Sequence, residues 1–453
     1  MYDQDLSRRD LSNLDLSNSN SKDSYFKSLE LSNKNLSHAN FSNSLFLHAV
    51  LSNANLKNAN LQDAHFANAI LSHADLTGAN MQRASLSGDL RNVNLSHADL
   101  RNAALSHTDL READMSFANL RDADLAYANL TGATLCHAHL ANADLYEVIM
   151  IRANLLAVEF SEADLRDASL NGASLILANM GYANLRGANL SLSNLEGADL
   201  EGVKLEGANL SYANLRGVIL KYAKLEKACL HGANLMFSDM SGQRLHSANL
   251  LDARFWGANL QGSDMSEQDF SNAKMRRVVL KESNLAHVIL TGADLSGADL
   301  SGANLCGAKL LGANLRSADL HGADLTRASM TDADLTFAHL GSVTLLNADL
   351  RRANCSESTM WDAKLHAADL THADLSGADL DRADFTLSLL RKSDLSDAYL
   401  SNARLMGADL SGANLSNAKL KDADLREATF SMSTILPDGT NWNEDTDMIK
   451  FTD

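Results

Sequence analysis

The segment Ser296–Leu305 reads SGADLSGANL, so leucine returns at every fifth position. An α-helix turns about 100° per residue and would spread such leucines around its whole surface. A flat strand alternates its faces, so an odd period would send successive leucines to opposite sides. A chain that stays extended for about three residues and then bends by roughly a right angle satisfies this period, because four bends close a square coil.

Each coil takes four pentapeptides, and stacked coils can hydrogen-bond to one another at about 4.8 Å. An apolar residue, or the lone Cys355, occupies every fifth position from Leu90 to Ile435, and we call these positions centres. An earlier run, Leu6–Leu86, is broken at Ser21, and the step Leu86–Leu90 is one residue short. The two runs predict about 22 coils and a rod on the order of 100 Å long.

Within a repeat, the residue two positions before the centre is small and the residue just before the centre is mostly Asp or Asn. Ala298 and Leu300 should therefore point inward together, while Asp299 points outward and Ser301–Gly302 form the corner. Aromatic residues make up 5% of the chain, so we expect a core too narrow for rings. The single proline, Pro437, follows the last repeat, which favours an unbroken hydrogen-bonded ladder before it.

These tandem A(D/N)LXX units resemble the pentapeptide-repeat proteins over residues 36–435, with a weaker match before that range. The resemblance implies an all-β fold, a right-handed quadrilateral parallel β-helix, since the geometric argument gives the square coil but not its hand. We divide the chain into an N-terminal segment with imperfect first coils (1–89), a continuous β-helix (90–435) and a capping tail (436–453). In the tail, Pro437–Gly439 is a turn signal, and Trp442 is expected to fold over the last layer of leucines.

Two local departures from the pattern give structural predictions. The missing residue between Leu86 and Leu90 predicts a tightened corner or a kink, with early proteolytic cleavage there, near Ser21 or at the termini. Gln243 and Gln268 occupy inward positions that are otherwise small. A buried amide needs hydrogen-bond partners, so we expect a bulged wall or backbone partners for both side chains.

No known catalytic motif occurs, and an array of equivalent coils should offer no deep cleft. The oxygen-rich tail lacks the ligand spacing of an EF-hand, and no cysteine pair has the CxxC spacing of a zinc site. The cysteines are far apart, at Cys136, Cys229, Cys306 and Cys355. The sequence therefore predicts no enzyme, no cofactor and no metal.

The net charge of -18 lies almost entirely after residue 89 and disfavours direct binding to nucleic acid. The start, MYDQDLSRRDL, has no apolar signal region, and no stretch of the chain is long and apolar enough to span a membrane. We therefore expect a cytoplasmic protein, of bacterial type, that does not bind membranes.

Some relatives, the quinolone-resistance pentapeptide-repeat proteins, are acidic rods that resemble DNA and bind DNA gyrase or topoisomerase IV. Duplex DNA carries about one charge per 1.7 Å, whereas this chain would carry about one per 6 Å, so mimicry along the whole rod is disfavoured. Local mimicry stays open, although Asp is the usual residue at the positions concerned. These positions are Asp369, Asp374, Asp379 and Asp384.

Because the period is regular after Leu90, residue number modulo 20 assigns each residue to one of four faces. The face with centres at Leu95 and Met115 carries an unusual number of outward apolar residues, whereas the next face has chiefly Tyr182, Tyr222 and Trp361. Exposed apolar patches often mark interaction sites, although chance scatter would also produce single exposed residues. The residues of this apolar face, with a neighbouring arginine, are Phe117, Leu156, Ile176, Leu177, Met236, Phe237, Trp256, Arg276 and Phe337.

The sequence thus favours a non-enzymatic, rod-like scaffold that binds a protein partner through the apolar face, with self-association possible. The alternative is an acidic DNA-mimic regulator or protector of a type II topoisomerase such as DNA gyrase.

Overall fold

The computed structural model describes residues 4–5 and 15–453. The chain divides into two compact units, which we call unit 1 (Met1–Asn234 and Ser247–Asn249) and unit 2 (Leu235–His246 and Leu250–Asp453). A five-stranded parallel sheet in chain order lies in unit 1, and one short helix ends unit 2. These elements are β1 (Gln4–Asp5), β2 (Ser24–Lys27), β3 (Leu45–Leu47), β4 (His65–Ile70), β5 (Ser85–Asp89) and α1 (Ile449–Thr452).

The remaining walls are built from single parallel bridges between residues 20 positions apart, as between Asp299 and Asp319. Leu300 N donates to Asp319 O at 2.6 Å, and Asp319 N donates back to Ala298 O at 2.9 Å. This pattern satisfies the backbone groups of one coil with those of the next, as in any parallel sheet. Four pentapeptides per coil are therefore confirmed, and the fold is a quadrilateral parallel β-helix.

The two residues after each centre form the corner. Ala298 N donates to Leu295 O at 2.9 Å, and the third residue of the turn, Gly297, has φ +64°. These are the features of a type II turn, which needs a left-handed residue at its third position. Where glycine is absent, Asn, Asp and His tolerate this conformation best. Histidines with positive φ at this position include His38, His48, His73, His97, His107 and His137.

The outward Asp or Asn before each centre holds the corner that follows it. Asp294 Oδ1 accepts hydrogen bonds from Ser296 N at 3.1 Å and from Ser296 Oγ at 2.7 Å. It also accepts from Asn314 Nδ2, one coil further on, at 3.1 Å. One short side chain thus fixes its own corner and contributes to a polar ladder between coils.

The core contains the inward small residues and the centres, such as Ala298 and Leu300, which are almost fully buried. The expectation that the core excludes rings is wrong, because seven phenylalanines of the described residues are fully buried. In unit 1, Phe26, Phe46 and Phe66 stack face to face with centroids 4.6 Å apart. This distance is close to the spacing between coils, so a ring fits when it lies flat on an identical ring one coil away. The buried rings are Phe26, Phe41, Phe46, Phe66, Phe160, Phe255 and Phe385.

The weak N-terminal run continues through Ser21, which takes the place of an apolar centre. Ser21 is buried, and its N–H donates to Asn40 O at 2.8 Å. Its carbonyl accepts from Ser44 Oγ at 2.9 Å, so the polar side chain of the next coil supports this position. The predicted centres Leu6 and Leu11 lie outside the described residues.

The missing residue between Leu86 and Leu90 is absorbed by a β-bulge. Phe66 of β4 pairs with Leu86 of β5, but Ala69 pairs with Gly88, so the register shifts by one residue between them. Two residues of β4 therefore face one residue of β5, as in other bulges. The short step replaces a corner by extended strands and does not form the predicted tightened corner.

Ser87 secures the bulge from the shorter strand. Its Oγ accepts from Asn68 N at 3.1 Å and donates to Phe66 O at 3.2 Å, so polar backbone groups left out of the ladder find a partner. After the bulge the coil-to-coil offset is one residue shorter, as between Asp75 and Asn94. It returns to its usual value from Asp89 onward.

The two inward glutamines lie in unit 2. Gln268 Nε2 donates to Leu245 O at 3.1 Å and to His246 O at 2.8 Å, which confirms backbone partners for this amide. Gln243 is buried, and its backbone carbonyl accepts the regular ladder bond from Asp264 N at 2.8 Å. The ladder is therefore maintained at Gln243 although the side chain is larger than Ala.

The prediction that Ile435 is a centre is wrong. Leu436 is 1% exposed and takes the inward place, whereas Ile435 is half-buried and pairs with Asn414. The register slips by one residue because Thr434 is fully buried and directs its Oγ1 to Leu410 O at 3.0 Å. The slipped register thus places Thr434 inside, where its hydroxyl can hydrogen-bond to the preceding coil.

The residues after the last coil fold back on it. Trp442 N donates to Thr434 O at 2.9 Å, and the Trp442 ring stacks on Phe430 with centroids 5.9 Å apart. Hydrogen bonds from the Thr440 hydroxyl and from Lys450 Nζ, at 2.6 and 2.9 Å, lower the pKa of Asp438 to about 2. The turn that begins at Asp438 is therefore tied both to its own backbone and to α1.

Gly88→Ala should loosen the bulge. A Cβ at this position would lie 2.2 Å from Ala69 O, and the φ of +128° is strained for any other L-residue. We expect faster limited proteolysis within residues 65–90 and local destabilisation of about 1 to 3 kcal/mol. Gly207→Asn is the control, because no atom lies within 4 Å of its Cβ position and Asn tolerates positive φ. Equal proteolysis of both variants would contradict the bulge.

Acid should release the tail through Asp438. Because its folded pKa is lowered from 3.8 to about 2, its contribution is complete above about pH 4 and is lost as the pH falls through about 2. Fluorescence of Trp442 in a Trp256→Phe/Trp361→Phe background should report this transition. Asp438→Asn keeps an acceptor for Thr440 but cannot titrate, so this pH dependence should disappear; an unchanged profile would refute the assignment.

Candidate functional site

In unit 1, the apolar face begins with an aromatic stack on the surface. Phe117 lies between His97 and His137, with ring centroids 5.0 Å apart on both sides and planes within 11° of parallel. Phe117 remains 50% exposed at its outer edge. Stacking at the spacing between coils therefore orders this ring without burying it.

The aliphatic residues further along this face form a second group. Leu156 and Ile176 are half-buried, whereas Leu177 is 61% exposed. In the following coils the same face carries an ion pair, with Arg216 Nη1 2.8 Å from Glu196 Oε1. The apolar surface of unit 1 is therefore interrupted after Leu177.

In unit 2, the face carries an exposed aromatic pair with a methionine beside it. The rings of Phe237 and Trp256 have centroids 5.4 Å apart and are tilted by 50°. They remain 46% and 44% exposed, respectively. Gly257 leaves room for the Phe237 ring, because a Cβ there would lie 2.9 Å from it. We call Met236, Phe237 and Trp256 the anchor cluster.

Phe337 does not join the anchor cluster. Its ring lies under the Arg316 guanidinium, 5.2 Å from the ring centroid, in a cation–π arrangement. The structure thus brings together Met236, Phe237, Trp256 and Arg276, and it leaves the other predicted residues of the face in separate groups.

A cleft of about 380 Å³ opens beside the anchor cluster. Arg276 lines it and has limited compensation, with its Nε 3.1 Å from Ser296 Oγ and 3.7 Å from Asp294 Oδ2. The cleft lies within unit 2, and its lining combines apolar and cationic side chains. Its lining residues are Met236, Arg254, Trp256, Lys274, Arg276 and Arg277.

The cleft lies where the backbone ladder loosens. Phe255 N is 3.4 Å from Lys274 O, whereas the neighbouring bond from Met275 N to Asp294 O is 2.8 Å. Arg254 and Lys274 lie one coil apart at the outward position that usually carries Asp or Asn. The ladder opens where these two basic residues are stacked, whereas Lys204 and Lys224, stacked in the same way in unit 1, keep ladder bonds of 2.8 Å. A second cavity, of about 350 Å³, separates residues 250–254 from 269–274.

Our sequence reasoning missed Arg254, Lys274 and Arg277 as site residues. The signal was present, because positions 254 and 274 replace the usual Asp or Asn by a basic residue in two successive coils. Sorting only the apolar residues by face could not reveal this signal. Arg254 and Lys274 come just before a centre, whereas Trp256 comes just after one.

The four predicted acidic residues do not form one patch. Each lies in a different wall of one coil and pairs with a different column of residues, for example Asp369 with Asp349 and Asp384 with Lys364. Each also accepts a hydrogen bond from the backbone two residues on, as in Asp374 from Ser376 N at 2.9 Å. They serve as ordinary corner residues in this structure.

Cys355 is the one buried cysteine of the described residues. Burial raises the pKa of the Cys355 thiol to about 12, which suppresses the nucleophilic thiolate. Among residues 4–5 and 15–453, no group of three or more His, Cys, Asp or Glu side chains is arranged to hold a metal ion. No helix in the described part of the chain is long and apolar enough to cross a bilayer.

The family model described as pentapeptide repeats, with eight copies of the repeat, matches most of the chain. No sequence among curated proteins matches this chain. The matched segments are residues 49–88, 89–126, 128–158, 159–197, 198–235, 238–277, 248–285, 273–310, 298–336, 308–345, 328–366, 348–386 and 393–431.

Several solved structures are similar. HetL, a pentapeptide repeat protein involved in heterocyst differentiation regulation from the cyanobacterium Nostoc sp. strain PCC 7120, is 31% identical over 51% of this chain and 92% of its own, with a TM-score of 0.35. Rfr23 from the cyanobacterium Cyanothece 51142 is 31% identical over 25% of this chain and 63% of its own, with a TM-score of 0.18. QnrB1, a plasmid-mediated fluoroquinolone resistance protein, is 17% identical over 51% of this chain and 91% of its own, with a TM-score of 0.20.

Replacing Arg254 and Lys274 together by Asn should close the ladder. Stacked asparagines join coils elsewhere, as where Asn214 Nδ2 donates to Asn194 Oδ1 at 2.9 Å. We expect hydrogen exchange of the Phe255 amide to slow by roughly tenfold. Lys309→Asn is the control, because its wall already has regular bonds of 2.7 and 2.9 Å. Unchanged exchange in the double variant would show that like-charge repulsion does not open the cleft.

Proposed function

Since this chain belongs to the pentapeptide-repeat family, with its right-handed quadrilateral β-helix, we propose that it is a non-enzymatic scaffold that binds a protein partner through the apolar face. The anchor cluster is the centre of the proposed contact. Its exposed pair of aromatic rings, Phe237 and Trp256, is the observation that carries the proposal.

The anchor cluster has the properties of an interface hot spot. Trp, Phe and Met with a nearby Arg are enriched at such sites, where a few residues supply most of the binding energy. Phe237 is already held against Trp256 and over Gly257, so a partner would not have to order it. Preorganisation of this kind lowers the entropy lost on binding.

A protein partner fits the charge of the chain better than nucleic acid does. The net charge of -18 opposes a polyanion, and most arginines near the surface are already paired with carboxylates, as in Arg351 with Asp349 at 2.7 Å. The proposal includes a cytoplasmic location. It also includes self-association through the same face as one form of protein binding.

The topoisomerase alternative has less support. The four carboxylates on which it depends belong to four different walls, so they do not present a strip of charge to one partner surface. They are Asp369, Asp374, Asp379 and Asp384. Inhibition of gyrase supercoiling at micromolar protein, abolished by Asp369→Asn with Asp374→Asn, would favour that alternative over the apolar face.

Phe237→Ser with Trp256→Ser should weaken capture of the cellular partner by at least about 2 kcal/mol. Thermal stability should change little, because both side chains lie outside the core and outside the backbone ladder. The measurement is quantitative cross-linking and affinity capture from lysate of the source organism, alongside a thermal melt.

Tyr182→Ser with Tyr222→Ser is the matched control. Both tyrosines are more exposed than the anchor rings, at 60% and 71%, and residue number modulo 20 assigns both to the face that follows the apolar face. The control should leave capture unchanged. If the two double variants behave alike in capture and in stability, the apolar face has no special role.

A further inference from the structure

We infer that the cleft beside the anchor cluster binds an acidic peptide segment of a protein partner, with an apolar side chain among its carboxylates. The inference rests on the proposed function in that it uses the same face. It goes further by assigning the chemical class of the partner segment and the residues that recognise it.

The first support is uncompensated positive charge. Within the described residues, Arg254, Lys274 and Arg277 form no salt bridge, although the chain has 57 acidic residues and 39 basic ones. Most other arginines of unit 2 do pair with carboxylates, as in Arg382 with Asp362 at 2.7 Å. Three cations that lack partners and line one cleft make a site for an external anion.

The second support is the position of the cations around the tryptophan. Arg254 and Trp256 lie on one coil, and Lys274, Arg276 and Arg277 lie on the next. Coils are about 4.8 Å apart, so the cations of both coils line the same cleft as the indole. An apolar side chain can cover Trp256 while neighbouring carboxylates reach the arginines, whose planar guanidinium groups match carboxylates well.

The surroundings of the cleft favour a short acidic segment over a nucleic acid strand. Asp294 lies at the next coil, where it approaches Arg276 at 3.7 Å, and Asp334 lies 4.0 Å from Arg316 two coils further on. A nucleic acid carries a charge at every nucleotide and would run from the cations onto these carboxylates. A peptide can confine its charges to the few residues that occupy the cleft.

The test uses the full chain and a labelled peptide with one phenylalanine between two short runs of glutamate. Fluorescence anisotropy should show binding that weakens as salt rises. The triple variant Arg254→Gln/Lys274→Gln/Arg277→Gln should bind the peptide roughly tenfold more weakly. A control triple, Lys364→Gln/Arg382→Gln/Arg404→Gln, makes the same change in net charge at a surface where Asp362 pairs with Arg382 and Asp384 with Arg404.

Several outcomes would overturn the inference. They are equal binding of a matching peptide with glutamine in place of glutamate, equal weakening by the two triple variants, and tighter binding of oligothymidylate than of the acidic peptide. A different result would be salt-sensitive self-association of the chain that the peptide inhibits and that Arg254→Gln/Lys274→Gln/Arg277→Gln abolishes. That result would identify a second copy of the chain as the occupant of the cleft.

The result is separable from the proposed function. If Phe237→Ser/Trp256→Ser loses the cellular partner but the cleft triple variant keeps it, the apolar face functions as proposed and the acidic-segment inference fails. If the triple variant loses the peptide while the aromatic double variant keeps the partner, the cleft binds anions and the proposed scaffold contact lies elsewhere.

Discussion

The hydrogen-bonded ladder between successive coils is the constraint on which the rest of this structure depends. It places each residue beside its equivalent 20 positions further on, as with Asn284 and Asn304. Equivalent positions therefore stack on one another, most often leucine above leucine inside and amides or carboxylates above one another outside. Close approach of four walls leaves room only for a small residue beside each centre, which explains the recurring alanine.

The same spacing governs where rings can go. Phe26, Phe46 and Phe66 stack inside at 4.6 Å, and His97, Phe117 and His137 stack outside at 5.0 Å. Aromatic pairs prefer ring centroids about 4.5 to 7 Å apart, a range that includes the gap between coils, so a column of rings preserves the ladder. Phe237 and Trp256 are instead tilted by 50°, and they remain 46% and 44% exposed.

Departures from the ladder remain local because each coil contacts only its neighbours. The residue missing near Gly88 is absorbed by a bulge between β4 and β5, and the register then continues. The ladder bond from Phe255 N to Lys274 O lengthens to 3.4 Å, while the bond on the next coil, from Met275 N to Asp294 O, stays at 2.8 Å. A repeat fold can therefore place a distinctive surface in one coil while its neighbours stay regular.

The five-residue period by itself determined the coil, the inward pair of Ala298 and Leu300, and the corner at Ser301–Gly302. Each of these is a property of one repeat, since strand alternation and a left-handed turn residue involve only near neighbours in sequence. The tertiary structure alone decided that Leu436 replaces Ile435 inside, because the hydroxyl of Thr434 reaches a carbonyl of the preceding coil. It also decided that Arg254 and Lys274 join Trp256 in one cleft, because these residues meet only through the stacking of one coil on the next.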